Sequence, residues 1–190
     1  SYIGGTPGGS SYVTLTGNWI HHNMVGIKAD ASRSTGSSVE SSSVRVDAFN
    51  NLIGDNTNQG VDLSVFGPAS FDATIVNNTI IYNLGQGVRH NALSAADDLK
   101  FKNNIVAFNQ AGGVAATAAW VPTSGLEGYN DVFGNMLGGS PDSNWIGYPA
   151  SFGDLTTTNA NGTPADAEMN INADPEFFGG GNYHILASSP

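Results

Sequence analysis

The sequence predicts an all-β fold: a parallel β-helix of about five coils, three short strands per coil, with a C-terminal cap. Three columns of residues predict it. Asparagine recurs at Asn18, Asn51, Asn78, Asn104 and Asn130, at intervals of 33, 27, 26 and 26 residues. A second asparagine follows each one five places on, at Asn23, Asn56, Asn83, Asn109 and Asn135. A glycine comes three or four places after that, at Gly26, Gly60, Gly87, Gly113 and Gly139. A period in the twenties marks stacked units, each burying its apolar face against its neighbours.

Each unit holds three strand signals. Before the first asparagine come alternating apolar pairs: Val13 and Leu15, Val46 and Ala48, Ala73 and Ile75, Leu99 and Phe101. Two places after it sits Ile20, Ile53, Ile80, Val106 or Val132. A third strand starts at the glycine, as in Gly87-Val88 and Gly113-Val114. Alternation of this kind gives a strand with one buried face. The Gly, Asn and Ser clusters between these runs are turn signals. Like residues then stack roughly 4.8 Å apart, the strand spacing. Asparagine suits a buried turn, because it tolerates left-handed backbone geometry and its amide bonds the coils above and below. The one helix-like stretch, Ala115 to Trp120, is read as a short helix within an insertion.

Residues 1–139 form the coils, after a Gly/Ser-rich lead-in. Residues 140–190 form an irregular insertion and a capping segment of the same domain. The Gly-rich start is read as the edge of a coil in a trimmed piece of something longer. A solenoid end exposes strand edges and an open core, so a distinct closing segment is expected at 171–190.

Six basic and 16 acidic residues leave a net charge of −10. That argues against nucleic acid and anionic membranes as partners, and permits cationic ligands or calcium. No run approaches the length of a membrane span, and the sequence is read as carrying no signal peptide. The chain has no cysteine, which excludes disulfides, Cys-based metal sites and thiol catalysis.

The coil pattern V-x-I-x-N-N-x-I-x-x-N-x-x-x-G-V resembles the right-handed parallel β-helix, or pectin-lyase-like, superfamily. The tail adds to the likeness. Asp174-Pro175-Glu176-Phe177, Gly181-Asn182-Tyr183-His184-Ile185 and Ser189-Pro190 are similar to an ending common in exported bacterial β-helix proteins. In that family the ending usually continues past Ser-Pro, so a truncated chain is expected. The resemblance implies a secreted or cell-surface bacterial protein whose partner is a polysaccharide or cell-surface glycan, bound by a monomer. The superfamily includes polysaccharide lyases, glycoside hydrolases, phage tailspikes and non-catalytic surface modules, and fold alone does not choose among them.

In characterised relatives the substrate groove usually lies on the strand that starts at the glycine. Here its inward residues are Ile27, Val61, Val88 and Val114, so Lys28, Asp62, Arg89 and Ala115 face outward. Two places on, Asp30, Ser64, Asn91 and Thr117 face outward as well. Lyase chemistry needs a base beside the uronate carboxylate and a cation facing the developing oxyanion. Lys28, Asp62 and Arg89 are the catalytic candidates, with Asp30 and Asn91 beside them as substrate contacts. A cross-coil charge ladder is the structural reading of the same residues. Asp30 and Asp62 also suit the paired carboxylates of a hydrolase. Trp120, Trp145 and Tyr148 are candidate sugar-stacking aromatics, or a lid over the core. Adjacent His21 and His22 are expected on opposite faces, which keeps them from sharing one metal. Calcium is the one cofactor considered, at Asp97-Asp98 or among Asp166, Glu168 and Asp174. A non-catalytic adhesive spacer is the alternative function, and a trimeric tailspike fragment the weaker one. The outward Ser, Thr, Asn and Asp residues do not favour a trimer.

Overall fold

The computed structural model describes residues 2–4, 9–32, 43–66, 69–91, 98–117, 122–123 and 125–190. Each repeat unit gives one strand to each of three sheets. Sheet A takes the strands after the glycine column: Tyr2–Gly4, Ile27–Ser32, Val61–Phe66, Val88–Asn91, Val114–Ala116 and Trp145–Ile146. Sheet B takes those before the first asparagine: Ser10–Thr16, Ser43–Phe49, Ser70–Val76, Asp98–Lys102 and Glu127–Gly128. Sheet C takes Trp19–His21, Leu52–Gly54, Thr79–Ile81, Ile105–Ala107 and Asp131–Phe133. All pairings within these sheets are parallel. No helix occurs among the described residues.

The core is a stack of apolar columns from the three sheets. Ile27, Val61, Val88 and Val114 line it from sheet A, Val46, Ala73 and Leu99 from sheet B, and Ile53, Ile80, Val106 and Val132 from sheet C. Burying one such side chain contributes about 1.5–3 kcal/mol.

The turn from sheet B to sheet C carries the first asparagine column. The residue before each asparagine takes the left-handed conformation: Gly17, Asn50, Asn77, Asn103 and Tyr129 have φ of 66°, 56°, 58°, 54° and 58°. The asparagine that follows then points into the interior. Asn104 shows the bonding. Its Oδ1 accepts from the backbone N–H of Asn78 at 2.9 Å and from Asn78 Nδ2 at 3.1 Å. Its Nδ2 donates to the Ile75 carbonyl at 2.9 Å and to Asn130 Oδ1 at 3.0 Å. One amide thus ties together the coils on either side.

The second column behaves alike. Asn83 Oδ1 accepts from Asn56, and Asn83 Nδ2 donates to Ile53 O and Asn109 Oδ1. The glycine column makes room for it. A Cβ on Gly60 would lie 2.8 Å from Asn83 Nδ2 and 2.7 Å from the Gly87 carbonyl. The three sequence columns are therefore parts of one packing arrangement.

Both ladders run on past the repeat. Asn130 donates to Asn170 Oδ1, and Asn135 to Asn144 Oδ1, which in turn bonds Asn172. Asn170 ends on Asp166, a buried carboxylate that also accepts from the backbone N–H groups of Gly153 and Glu168. Residues 140–190 thus supply pieces of further coil.

Three expectations are corrected, and the closing segment takes a definite position. Gly139 is an exposed turn residue at φ 85°, and the carbonyl of Asn144 packs against Gly113 as those of Gly60, Gly87 and Gly113 do against the preceding glycines. An insertion between Asn135 and Asn144 shifts the column. Ala115 and Ala116 belong to a sheet A strand, because their neighbours offer a ladder to pair with, and Trp120 lies outside the described residues. The end of the core is covered by Trp145, Tyr148 and Phe152. Of the tail, Ile171 pairs with Asp131 and the Ala173 N–H donates to Asp131 Oδ1, on the last coil, while the hairpin Phe177–Gly179 and Asn182–Ile185 lies along the flank, with Phe177 beside Phe108 and Tyr183 beside Tyr82. Finally, His22 and His21 come together. His22 lies past the strand end at φ 55°, which swings its ring round to hydrogen-bond His21.

Asn104→Leu is expected to cost about 2–4 kcal/mol in urea unfolding, since the buried Asn78 N–H loses its acceptor. Asn103→Gly, at the left-handed position one residue earlier, should stay within about 1 kcal/mol of wild type. Equal stability of Asn104→Leu and wild type would remove the ladder's structural role.

Candidate functional site

Parallel register converts the outward positions of sheet A into columns. Lys28 pairs with Asp62, Asp62 with Arg89, Arg89 with Ala115, and Ala115 with Ile146. Beside them, Asp30 pairs with Ser64 and Ser64 with Asn91. The structure thus brings together Lys28, Asp30, Asp62, Arg89 and Asn91 on one face.

The charges pair. Arg89 grips Asp62 with two bonds, Nε to Oδ1 at 2.9 Å and the terminal nitrogen to Oδ2 at 2.7 Å. Lys28 Nζ lies 3.2 Å from Asp30 Oδ2. The pairs are layered by depth. The Asp62 and Asp30 side chains are 3% and 14% exposed, whereas those of Arg89 and Lys28 are 32% and 37% exposed. The acids lie underneath and the cations on top. Hydrogen bonding to Asp62 raises the Arg89 pKa further, so this side chain stays a cation and cannot serve as a base. Asp30 Oδ1 is buried without a hydrogen-bond partner, leaving unused acceptor capacity in the cluster. Thr117 donates its hydroxyl to Asn91 Oδ1, so the oxygen of that amide is engaged.

A family model described as a right-handed beta helix region matches residues 4–120 of this 190-residue chain. The chain belongs to the right-handed β-helix family. No curated protein and no solved structure matches it. The matched span of this β-helix includes the whole Lys28, Asp62, Arg89 column and stops before Trp145.

Trp145 and Tyr148 take no part in the charged face. Trp145 pairs with Val114 in sheet A, and both aromatics pack on the core. Tyr148 also completes a polar chain that the sequence reading missed. Its hydroxyl lies 2.8 Å from His90 Nε2 and donates to Glu127 Oε2 at 2.8 Å. His90 interrupts the apolar column of Leu63 and Ala116, and Glu127 that of Ile75 and Phe101. Glu127 was legible in principle, as a carboxylate at an inward strand position. Burial and the neighbouring Glu127 hold the Tyr148 hydroxyl protonated.

The calcium candidates do not assemble. Asp97 lies outside the described residues, Asp98 is exposed, and Asp166 is filled by N–H donors. No group of three or more His, Cys, Asp or Glu able to hold a metal occurs among the described residues.

Two buried groups give opposite pH dependences. Burial lowers His90 to about 4, below its unfolded value near 6.5. The unfolded chain takes up that proton first, so this contribution is lost as pH falls from about 6.5 to about 4. Burial raises Asp131 to about 7. The folded chain holds that proton longer, so this contribution is lost as pH rises from about 4 to about 7. Between pH 5 and 6.5 the two oppose one another. Urea unfolding across that window should show stability rising with pH in Asp131→Asn and falling in His90→Asn. Two variants with one shared slope would contradict both assignments. Separately, Arg89→Met strips the partner from buried Asp62 and is expected to cost about 3 kcal/mol or more. Lys28→Met should cost less than about 1 kcal/mol, because Lys28 is more exposed.

Proposed function

We propose that this β-helix is a module of an exported bacterial protein that holds an acidic polysaccharide along the outward face of sheet A. One observation carries the reading: on consecutive coils the carboxylates of Asp30 and Asp62 are less exposed than the cations they pair with, and the cations lie above them. Although the chain carries a net charge of −10, this face presents guanidinium and ammonium groups to solvent. Their spacing follows the coils, about 4.8 Å per step. Lys28 and Arg89 lie two coils apart and would take carboxylates of separated sugar units. Asn91 would bond hydroxyls between them. The acids beneath orient the cations, and hydrogen bonding to Asp62 raises the Arg89 pKa, which suits binding better than proton abstraction.

The test is isothermal titration with oligogalacturonate, with and without calcium, followed by a search for unsaturated products. Lys28→Ala should weaken binding about tenfold, the loss of one charge-assisted contact. Added salt should weaken it further. Unsaturated products lost in Lys28→Ala would extend the reading to a lyase. Absence of binding to any acidic glycan would overturn it in favour of a structural spacer.

A further inference from the structure

A second groove lies on the opposite side of the coil, where the C-terminal hairpin runs back along the solenoid. Its volume is about 610 Å³, and Trp19, Asn50, Asn77, Asn182, Tyr183 and His184 are among its lining residues. That size falls within the range of small-ligand sites. One wall belongs to the coils. Asn50 and Asn77 are the left-handed residues of two successive turns, so the backbone presents both side chains to solvent. Neither side-chain amide has a hydrogen-bond partner among the described residues. Trp19, 59% exposed, stands at the start of the same sheet with its ring 4.3 Å from that of His21. The other wall is the hairpin, pinned by Tyr183 against Tyr82 and by Phe177 against Phe108.

We infer that this groove binds a neutral oligosaccharide, at a site separate from the charged face of sheet A. The chemistry on its walls selects the ligand. An exposed indole and a tyrosine ring offer flat apolar faces for the C–H faces of pyranose rings. The amides of Asn50 and Asn77 repeat at the coil spacing, about 4.8 Å, and each can donate to and accept from a hydroxyl. Among the described residues no Asp, Glu, Lys or Arg lines the groove. A uronate would therefore lose hydration there without gaining a cation. A nucleic acid strand would meet no phosphate contact on a chain of net charge −10.

The test is titration of the whole chain with cellohexaose, mannohexaose, maltohexaose and, as the charged comparison, trigalacturonate. The indole N–H of Trp19 is followed by NMR alongside calorimetry. At least one neutral hexaose should bind saturably and shift the Trp19 signal. Trp19→Ala should weaken it at least tenfold. Asn50→Gly/Asn77→Gly keeps the left-handed turns, removes both amides, and should weaken it by a similar factor. Lys28→Ala should leave it unchanged, which separates this site from the sheet A face. The inference is overturned if no neutral hexaose binds, if binding survives both groove variants, or if Lys28→Ala abolishes it. It is also overturned if trigalacturonate displaces the hexaose from Trp19 more strongly than neutral sugars do.

Discussion

The interior amide of each ladder asparagine must reach the coil before it and the coil after it at once. That demand sets the rest of the fold. It requires the coils to repeat at the strand spacing, because a longer step would break one bond of every rung. It requires a left-handed residue just before the asparagine, which the chain supplies as Gly17, Asn50, Asn77, Asn103 or Tyr129. It also requires a residue without a side chain where the second ladder passes, and glycine stands there in Gly26, Gly60, Gly87 and Gly113. A buried amide left unbonded is expensive, so a misregistered coil is disfavoured at every rung.

Strict register has a second effect, on the surface. Residues one repeat apart become neighbours, so one substitution per repeat writes a column of chosen chemistry on the outside. On sheet A that column alternates charge, and the acids are sunk below the cations. At the turn between sheets B and C, the left-handed position instead displays uncharged amides. One scaffold thus carries two faces of different electrostatic character without any change in backbone.

Much of this architecture was legible because β-helix coils are local: three columns at one period identify strands, turns and inward faces together. The charged face was legible for the same reason, since parity along a strand assigns its outward residues. The legible part ends where the period does. Asn144, Asn170 and Asn172 continue the ladders, but insertions place them at spacings of 9, 40 and 28 residues from their partners. Asp166 carries no repeat signal at all. The groove beside Trp19 depends on where the hairpin comes to lie, a long-range packing choice that no local pattern encodes. His21 and His22 show a subtler limit, since alternation fails at the first residue beyond a strand.

The ladders also have a sense of direction. In each rung after the first the side-chain carbonyl accepts from the preceding coil, and one amide hydrogen points to the next. The aligned amides therefore add like the peptide units of a helix, with partial negative charge toward the N-terminal end and partial positive charge toward the C-terminal end. At the positive end the first ladder meets Asp166, an anion with two acceptor oxygens and no donor to pass on. At the negative end Asn18 and Asn23 present carbonyls, which the N–H groups of another rung of the same kind can satisfy. The stack is polar in the way a filament is polar: its first ladder meets acceptor oxygens alone at one end and begins with an amide carbonyl at the other.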